Sequence, residues 1–421
     1  MNFFKTSFWS AVSSVIKVLA GMVTTKIMAI FVGPNGVALL GNFNNIMSTL
    51  TSFSNGAIGS GITKYISEYD SEEEKRSIVA HSVKICLICS SFIGAFILVF
   101  NKSFAKLAFG NTEYNSAFII GGLTIVFFGL NTTISAVYNG YRYIKYLIIT
   151  GIIGSILSVI LAFVITMNYG LFGALINTAI AQVCIFVINI YFIRKLKLVN
   201  SNLLRTSLNK ALMWKLFKYA IMSTVTAVVV PMSTLMIRKY VLSNFSANEA
   251  GYIQGIWNIS GAYLMVVTTT LSIYYLPTLS SIKDDVSLRS EIFKGYKFLL
   301  PMTILGGIII YVCRDLIITV LYTPEFLPMR RYFAFQIIGD MFKIASWILA
   351  FLMIAKAMTK WFIITEILFT LLYVALSFFF MKLYGSIGVT YAYVINYFLY
   401  LIFMVVLFRN LLFGVKLREG E

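Results

Sequence analysis

Charge is what this 421-residue chain has least of. Asp, Glu, Lys and Arg together make up 12% of it, and 16 acids face 34 bases. A soluble domain carries about a quarter charged residues. Here 59% of residues are hydrophobic and the mean hydropathy is +0.86, more apolar surface than a water-exposed fold can hide. Histidine is nearly missing. His81 alone cannot build a His-rich metal cluster, and it reads as a residue at headgroup level rather than a proton relay. Four cysteines give no disulfide framework: Cys86 and Cys89 have CxxC spacing but lie in an apolar run without a redox loop, and Cys184 and Cys313 sit in apolar runs too. No Gly-rich loop is followed by Lys-Ser/Thr, which excludes ATP hydrolysis by this chain alone. The first apolar run continues for a full span without a small-residue cleavage site, so no cleavable signal peptide is expected. No stretch has room for a soluble catalytic domain. The expectation is a transporter with no cofactor, no metal and no nucleic-acid partner.

What is present is long apolar runs, each able to cross a hydrocarbon core of about 30 Å. They cover 7–32, 37–66, 77–100, 116–140, 143–167, 170–193, 214–242, 249–276, 292–313, 331–355, 358–381 and 387–408. The chain also repeats itself. Lys145-Tyr146-Leu147-Ile148-Ile149-Thr150 returns 215 positions later as Lys360-Trp361-Phe362-Ile363-Ile364-Thr365, and Asn168-Tyr169-Gly170-Leu171-Phe172-Gly173 returns as Leu383-Tyr384-Gly385-Ser386-Ile387-Gly388. Arg194 matches Arg409 at the same offset, Tyr69-Asp70 matches Lys283-Asp284 at 214, and Glu113-Tyr114 matches Glu325-Phe326 at 212. Two halves of about 213 residues follow. Six spans per half is an even number, so the halves enter the membrane in the same orientation, as parallel repeats that enclose a substrate path. The predicted fold is all-α, twelve transmembrane helices in two six-helix lobes around a central cavity: residues 1–193, a basic linker 194–213, and 214–421.

Most lysines and arginines fall in loops on the side of the N-terminus, seven of them between Arg194 and Lys218 with no acid among them. That bias places both termini in the cytoplasm. The 194–218 connection reads first as a topology signal and second as a strip lying on anionic headgroups, which makes membrane lipids a partner.

The informative chemistry is polar residues inside apolar runs. Ser10, Ser14, Lys17, Gly21 and Thr24 recur three or four apart and stack on one helical face. Lys17 stands roughly 22 Å from the external end of its span. A lysine at such depth costs roughly 2.5–3.5 kcal/mol unless it meets water or a partner. It therefore points to a solvated cavity, the plainer alternative being that it snorkels inward past Ser10. Lys26 lies on the opposite side, near the external interface. Asn42, Asn45, Thr49, Ser52, Gly56, Gly59 and Thr63 form an uninterrupted stripe along the second span. The eighth offers Gln254, Asn258, Gly261, Thr268 and Ser272. Small-residue packing explains the glycines, whereas amides at the same place in both halves suit a hydrated groove that bonds sugar hydroxyls. On the tenth span Gln336, Asp340, Lys343 and Trp347 share a face, with Asp340 and Lys343 spaced for an ion pair. Glu366, with no charged neighbour at helical spacing, reads as a coupling carboxylate or the partner of a lysine on another helix. Pro231 should kink the seventh span.

These residues resemble a known family. Gly33-Pro34-Asn35-Gly36, the segment from Gly61-Ile62-Thr63-Lys64 to Glu68-Tyr69, Tyr274-Tyr275-Leu276-Pro277, and Phe335-Gln336-Ile337-Ile338-Gly339-Asp340-Met341-Phe342-Lys343 followed by Ile354-Ala355-Lys356-Ala357 are similar to bacterial Wzx-type flippases of lipid-linked O-antigen or enterobacterial common antigen. These form the polysaccharide branch of the multidrug, oligosaccharidyl-lipid and polysaccharide exporter superfamily. The resemblance implies a V-shaped cavity opening to alternate sides and an undecaprenyl-pyrophosphate glycan as cargo, moved from the cytoplasmic to the periplasmic leaflet of the inner membrane. It also implies a polysaccharide polymerase and a chain-length regulator as partners. A pyrophosphate needs cations where Coulomb attraction is least screened. Lys17, Lys64, Arg238, Lys239 and Lys343 are the candidates, with Lys26 behind them. Asn42, Asn45, Gln254, Asn258, Gln336 and Trp347 are the candidates for the glycan. A multidrug cation exporter of the same superfamily would favour a net acidic cavity. A polysaccharide polymerase or ligase would need a large external loop with catalytic Arg or His, and the external connections here are short and His-free. A major-facilitator transporter would carry a Gly-Asp-Arg-Gly signature that the 68–76 loop lacks.

Overall fold

The computed structural model describes residues 3–196, 198, 210–356 and 358–413, and every regular element among them is helical. The chain separates into two compact units, Met1–Leu235 and Met236–Glu421. The expected linker falls mostly on residues 199–209, outside the described ones, and the division lies within a helix just past Pro231. The first unit holds α1 (Phe3–Ser54), α2 (Gly59–Glu68), α3 (Glu72–Phe109), α4 (Asn115–Gly140), α5 (Ile144–Lys195) and most of α6 (Lys210–Asn244). The second holds α7 (Ala247–Thr270), α8 (Leu276–Ser281), α9 (Asp285–Val312), α10 (Arg314–Leu321), α11 (Phe333–Ala355), α12 (Thr359–Tyr384), α13 (Gly388–Leu407) and α14 (Arg409–Phe413).

Eight described stretches of helix are long and apolar enough to cross a membrane, and the protein is a multi-pass membrane protein. The three longest each contain two spans, broken at Gly33, Gly170 and Gly385. With α7, whose 24 residues reach about 36 Å, the described residues supply the expected twelve.

The two breaks at the shared offset have the same cause. Gly170 (φ 53°, ψ −132°) and Gly385 (φ 72°, ψ −163°) occupy backbone space that a Cβ closes. Three residues on, a Cβ added to Gly173 would stand 2.3 Å from the carbonyl oxygen of Ile165, and one added to Gly388 2.3 Å from that of Phe380. Ile165 and Phe380 are themselves 215 apart. At both places the chain doubles back tightly on itself.

Packing follows the same plan in each unit. In the first, Phe43, Ile46, Met47, Phe118 and Ile125 form one buried cluster, and Ile62, Ile66, Ile78 and Tyr138 a second. In the second unit Leu264, Leu271, Ile292, Ile348 and Met404 meet. Outward faces are apolar as well. Phe92, Phe96 and Val99 run down α3, Leu305, Ile309 and Val312 down α9 at offset 213, and all six are exposed. Such stripes belong in lipid. The second unit is tied at one end by a charged knot. Ser246 caps α7 by accepting the Glu249 N–H at 3.1 Å, while the Glu249 carboxylate accepts from Arg331, from Tyr332, and from Ser386 at 2.8 Å.

One expected feature is corrected. The second span does not carry an uninterrupted stripe from Asn42 to Thr63, because α1 ends at Ser54. Gly56 and Ala57 both take positive φ, and the Asn55 side chain accepts the Ala57 N–H at 2.8 Å, a local turn that outcompetes the helix. Thr63 starts again on α2, where its hydroxyl donates to the Ala136 carbonyl at 3.1 Å.

Gly173→Ala and Gly388→Ala should each lower thermal stability in detergent, by about 1–3 kcal/mol for forced overpacking. Gly261→Ala, where a Cβ meets nothing within 4 Å, should leave the melting temperature unchanged or raise it. Fluorescence-detected melting of the three purified variants checks the contrast.

Candidate functional site

The first unit contains a cavity of about 720 Å³ walled by α1, α4 and α5. Lys17 reaches it from α1, as the polar stripe predicts, and it can do so because residue 151 is glycine. A Cβ there would stand 2.8 Å from Lys17 Cε and 3.0 Å from Nζ. Gly21 and Thr24 of the same stripe also line the cavity. The side chains of Ser10, Ser14 and Ser272 lie outside the described residues.

Facing Lys17 is a chain of amides that the sequence reading did not single out. Asn131 Nδ2 donates to Gln182 Oε1 at 2.8 Å and to the Gln182 carbonyl at 2.9 Å, and Asn189 Nδ2 donates to Asn131 Oδ1 at 2.9 Å. Thr132 and Ser135 add hydroxyls to the wall, and Asn55 Nδ2 reaches Thr132 Oγ1 at 2.9 Å. Among the lining residues there is no carboxylate. The available signal was three amides inside apolar spans.

The amides expected along the second span do other work. Asn42 is buried and donates to the Ala108 carbonyl at 2.8 Å, which fixes α1 against α3 rather than lining a groove. Asn45 donates to Thr234 Oγ1 at 2.7 Å. Thr49 Oγ1 donates to the Ala227 carbonyl at 3.0 Å, and Ala227 is the residue whose carbonyl loses its helical donor because Pro231 has no N–H. The hydrogen bond missing at Pro231 is therefore replaced from a neighbouring helix.

The second unit brings together a charged cluster. Asp340 is fully buried and accepts from Ser260 Oγ at 2.8 and 2.7 Å, from Tyr393 Oη at 2.8 Å, and from Gln336 Nε2 at 3.4 Å. The expected Asp340–Lys343 ion pair is absent among the described residues. Hydroxyls from two other helices satisfy the carboxylate instead, and Lys343 Nζ turns to aromatic rings: Trp347 at 4.8 Å, Tyr397 at 5.2 Å and Tyr393 at 5.7 Å. Glu366, on α12, lies within Coulomb range of that lysine.

The remaining candidates are scattered. Arg238 is 1% exposed, donates to Gln254 Oε1 and stands 5.4 Å from the Trp257 ring, while Gln254 Nε2 donates to Asn258 Oδ1 at 2.7 Å. Lys239, its neighbour on α6, is exposed and Lys26 on α1 half-buried. Lys64 is exposed on α2, 4.0 Å from Glu68 and 5.6 Å from the Tyr65 ring.

Two units that repeat the same helical plan, with polar groups in their interiors, define a class of membrane protein, the internally duplicated helical bundles. The chain belongs to the polysaccharide biosynthesis protein family, which matches residues 3–283. It is 29% identical over 402 residues to the lipid III flippase of Escherichia coli (strain K12), an alignment spanning 95% of this chain and 96% of that protein. The lipid III flippase of Shigella flexneri matches to the same extent. Among solved structures, a multidrug resistance MATE family transporter of the MOP superfamily in its inward-facing conformation superposes with a TM-score of 0.80 at 13% identity, covering 97% of this chain and 96% of that one. The lipid II flippase MurJ, inward closed, gives 0.74 at 17%, covering 96% and 87%. These likenesses establish the fold.

Thr49→Val should destabilise the protein by about 1–3 kcal/mol, the cost of a buried carbonyl left without a donor. Adding Pro231→Ala restores an N–H to the Ala227 carbonyl and should recover most of the loss. A double variant that melts no higher than Thr49→Val alone would remove this account of Thr49.

Proposed function

We propose that this protein is a flippase that carries an undecaprenyl-pyrophosphate-linked oligosaccharide, an O-antigen unit or the lipid III of enterobacterial common antigen, from the cytoplasmic to the periplasmic leaflet of the bacterial inner membrane. Membership of the polysaccharide biosynthesis family and near full-length similarity to a lipid III flippase support the cargo class. The observation that carries the reading is Lys17, held in the wall of a cavity lined by amides and hydroxyls and by no acid. Lys17 is exposed to the cavity, where its positive charge attracts a diphosphate, and the neutral polar wall suits sugar. The same arrangement opposes a cationic drug as cargo.

Lys17 is assigned to the pyrophosphate, with Lys343, Arg238, Lys239, Lys64 and Lys26 as further contacts along the path. Gln254, Asn258, Gln336 and Trp347 are assigned to the glycan. Asp340, whose negative charge would repel the cargo, is assigned with Glu366 to conformational coupling. Both termini are placed in the cytoplasm on the strength of the basic loops. The delivered glycan passes to a polymerase and a chain-length regulator.

Lys17→Ala should cut export of surface polysaccharide at least tenfold at unchanged protein level, and Lys17→Arg should keep part of it because charge survives while geometry changes. Surface polysaccharide and membrane abundance, measured together in a deletion strain, decide the assignment. Full export with alanine would sink it. Reporter fusions after Arg194 and near Thr112 should report cytoplasm and periplasm respectively.

A further inference from the structure

The second and eighth spans lose their regular helix at the same place. In the second, α1 ends at Ser54, Gly56 and Ala57 take φ of 66° and 53°, and α2 runs from Gly59 to Glu68. In the eighth, α7 passes into a π-helical turn over Leu271–Tyr275, where the Leu276 N–H donates five residues back to the Leu271 carbonyl, and α8 ends at Ser281. The boundaries coincide at offset 213: Glu68 with Ser281 at the ends of α2 and α8, and Glu72 with Asp285 at the starts of α3 and α9. Buried Ile58, Ile62 and Ile66 correspond to buried Leu271, Tyr275 and Leu279 at that same offset.

Past each irregularity the short end of the span is docked on a neighbour. Thr63 of α2 donates to the Ala136 carbonyl of α4 at 3.1 Å, and a Cβ on Gly140 would stand 2.7 Å from Ile66 Cβ. Leu279 of α8 belongs to the cluster that holds Leu349, Leu352 and Met353 of α11, and Lys356, at the end of α11, donates to the Ile282 carbonyl just past α8 at 2.5 Å. A regular helix carries a bend or rotation along its whole length, because each i→i−4 bond ties one turn to the next. A turn without those bonds does not, and hinges use a few such residues to absorb the change in φ and ψ. Ala57 holds a positive φ without being glycine, a strained state of the kind that gathers at switch regions.

We propose that residues 54–58 and 271–275 are a matched pair of joints. At each, the long body of the span swings while its short end stays docked on α4 or α11, opening and closing the side that the basic loops place in the cytoplasm. The first joint also touches the cavity wall. Asn55, whose Oδ1 holds the turn at the Ala57 N–H, donates from Nδ2 to Thr132 Oγ1 at 2.9 Å, and Thr132 lines the cavity. A cargo that engages the Thr132 hydroxyl therefore acts on the joint through one side chain. That last step rests on the flippase reading, whereas the joints rest on the backbone alone.

The test places spin labels, carried on p-acetylphenylalanine, in the full chain in lipid nanodiscs. One pair replaces Ser48 and Ser67, on the body and docked end of the second span; the other replaces Gly261 and Ser280, the equivalent positions at offset 213. All four are exposed. Both pairs are 19 residues apart, about 28 Å on an unbroken helix. A control pair of the same spacing, Glu73 and Phe92, lies on the regular part of α3 and is exposed too. Double electron–electron resonance should give two distances for each joint pair, or one that moves by at least about 3 Å, two helical rises, when undecaprenyl diphosphate N-acetylglucosamine is added. The control should keep one distance throughout. Deleting Ser272 removes the residue that a π turn holds in excess of an α turn. That variant should show one distance for the second pair and should export at least tenfold less surface polysaccharide at unchanged protein level. A single fixed distance in either joint pair overturns the matched joints, and so does full export from the deletion variant. If the deletion variant melts early, the label pairs in the undeleted chain decide alone. Failure of the flippase reading looks different: both joint pairs would show two distances, and the lipid would change neither.

Discussion

A hydrocarbon interior offers no hydrogen-bond partner, so every polar group carried into it must be answered from within the protein or open onto a wet space. The polar residues of this chain sort themselves by that demand. Asn42 answers the Ala108 carbonyl, Thr49 the Ala227 carbonyl that Pro231 strands, and Thr63 the Ala136 carbonyl. Asp340 collects hydroxyls from Ser260 and Tyr393. These residues are consumed by the fold. At the cavity of the first unit the Asn131, Gln182 and Asn189 amides largely answer one another, and what the fold leaves exposed there is Lys17, which a cargo can engage.

The duplicated scaffold supplies two chemically different interiors. Gln182 and Tyr397 are equivalent positions 215 apart, each on the span that follows a glycine break, Gly170 or Gly385. Gln182 meets a neutral amide, Asn131 on α4, whereas the Tyr397 ring meets the charged Lys343 on α11. The backbone plan is preserved closely enough that Gly173 and Gly388 rest on carbonyls at the same offset. Divergence has therefore gone into the side chains facing inward: Lys17 is the one charged residue lining the cavity of the first unit, whereas the second carries Asp340, Lys343, Glu366 and the buried Arg238.

Span number, the repeat and the polar face that carries Lys17 were legible in the sequence because each depends on residues close together: apolar run length, a six-residue signature, a three-four stripe. The rest depends on distant partners. Asp340 and Lys343 have the spacing of an ion pair, yet spacing puts them only on one face; the hydroxyls that take the carboxylate come from 80 and 53 residues away. The amide chain joins residues 51 and 58 apart, so each amide was visible and the chain was not. The break after Ser54 was hidden for the opposite reason. Asn55, Gly56 and Ala57 sit among residues that keep helical spacing on either side, and only the local turn made by the Asn55 side chain decides against a helix.

The reversals at Gly170 and Gly385 carry a consequence for how the chain is made. The spans on either side are separated by so few residues that no hydrophilic loop exists to be handed across the bilayer on its own. Shortness of this kind favours entry of each pair as one helical hairpin, with Asn168 near one tip and Lys382 near the other. Those tips are also the two places where an insertion as short as an epitope tag would divide one insertion event into two.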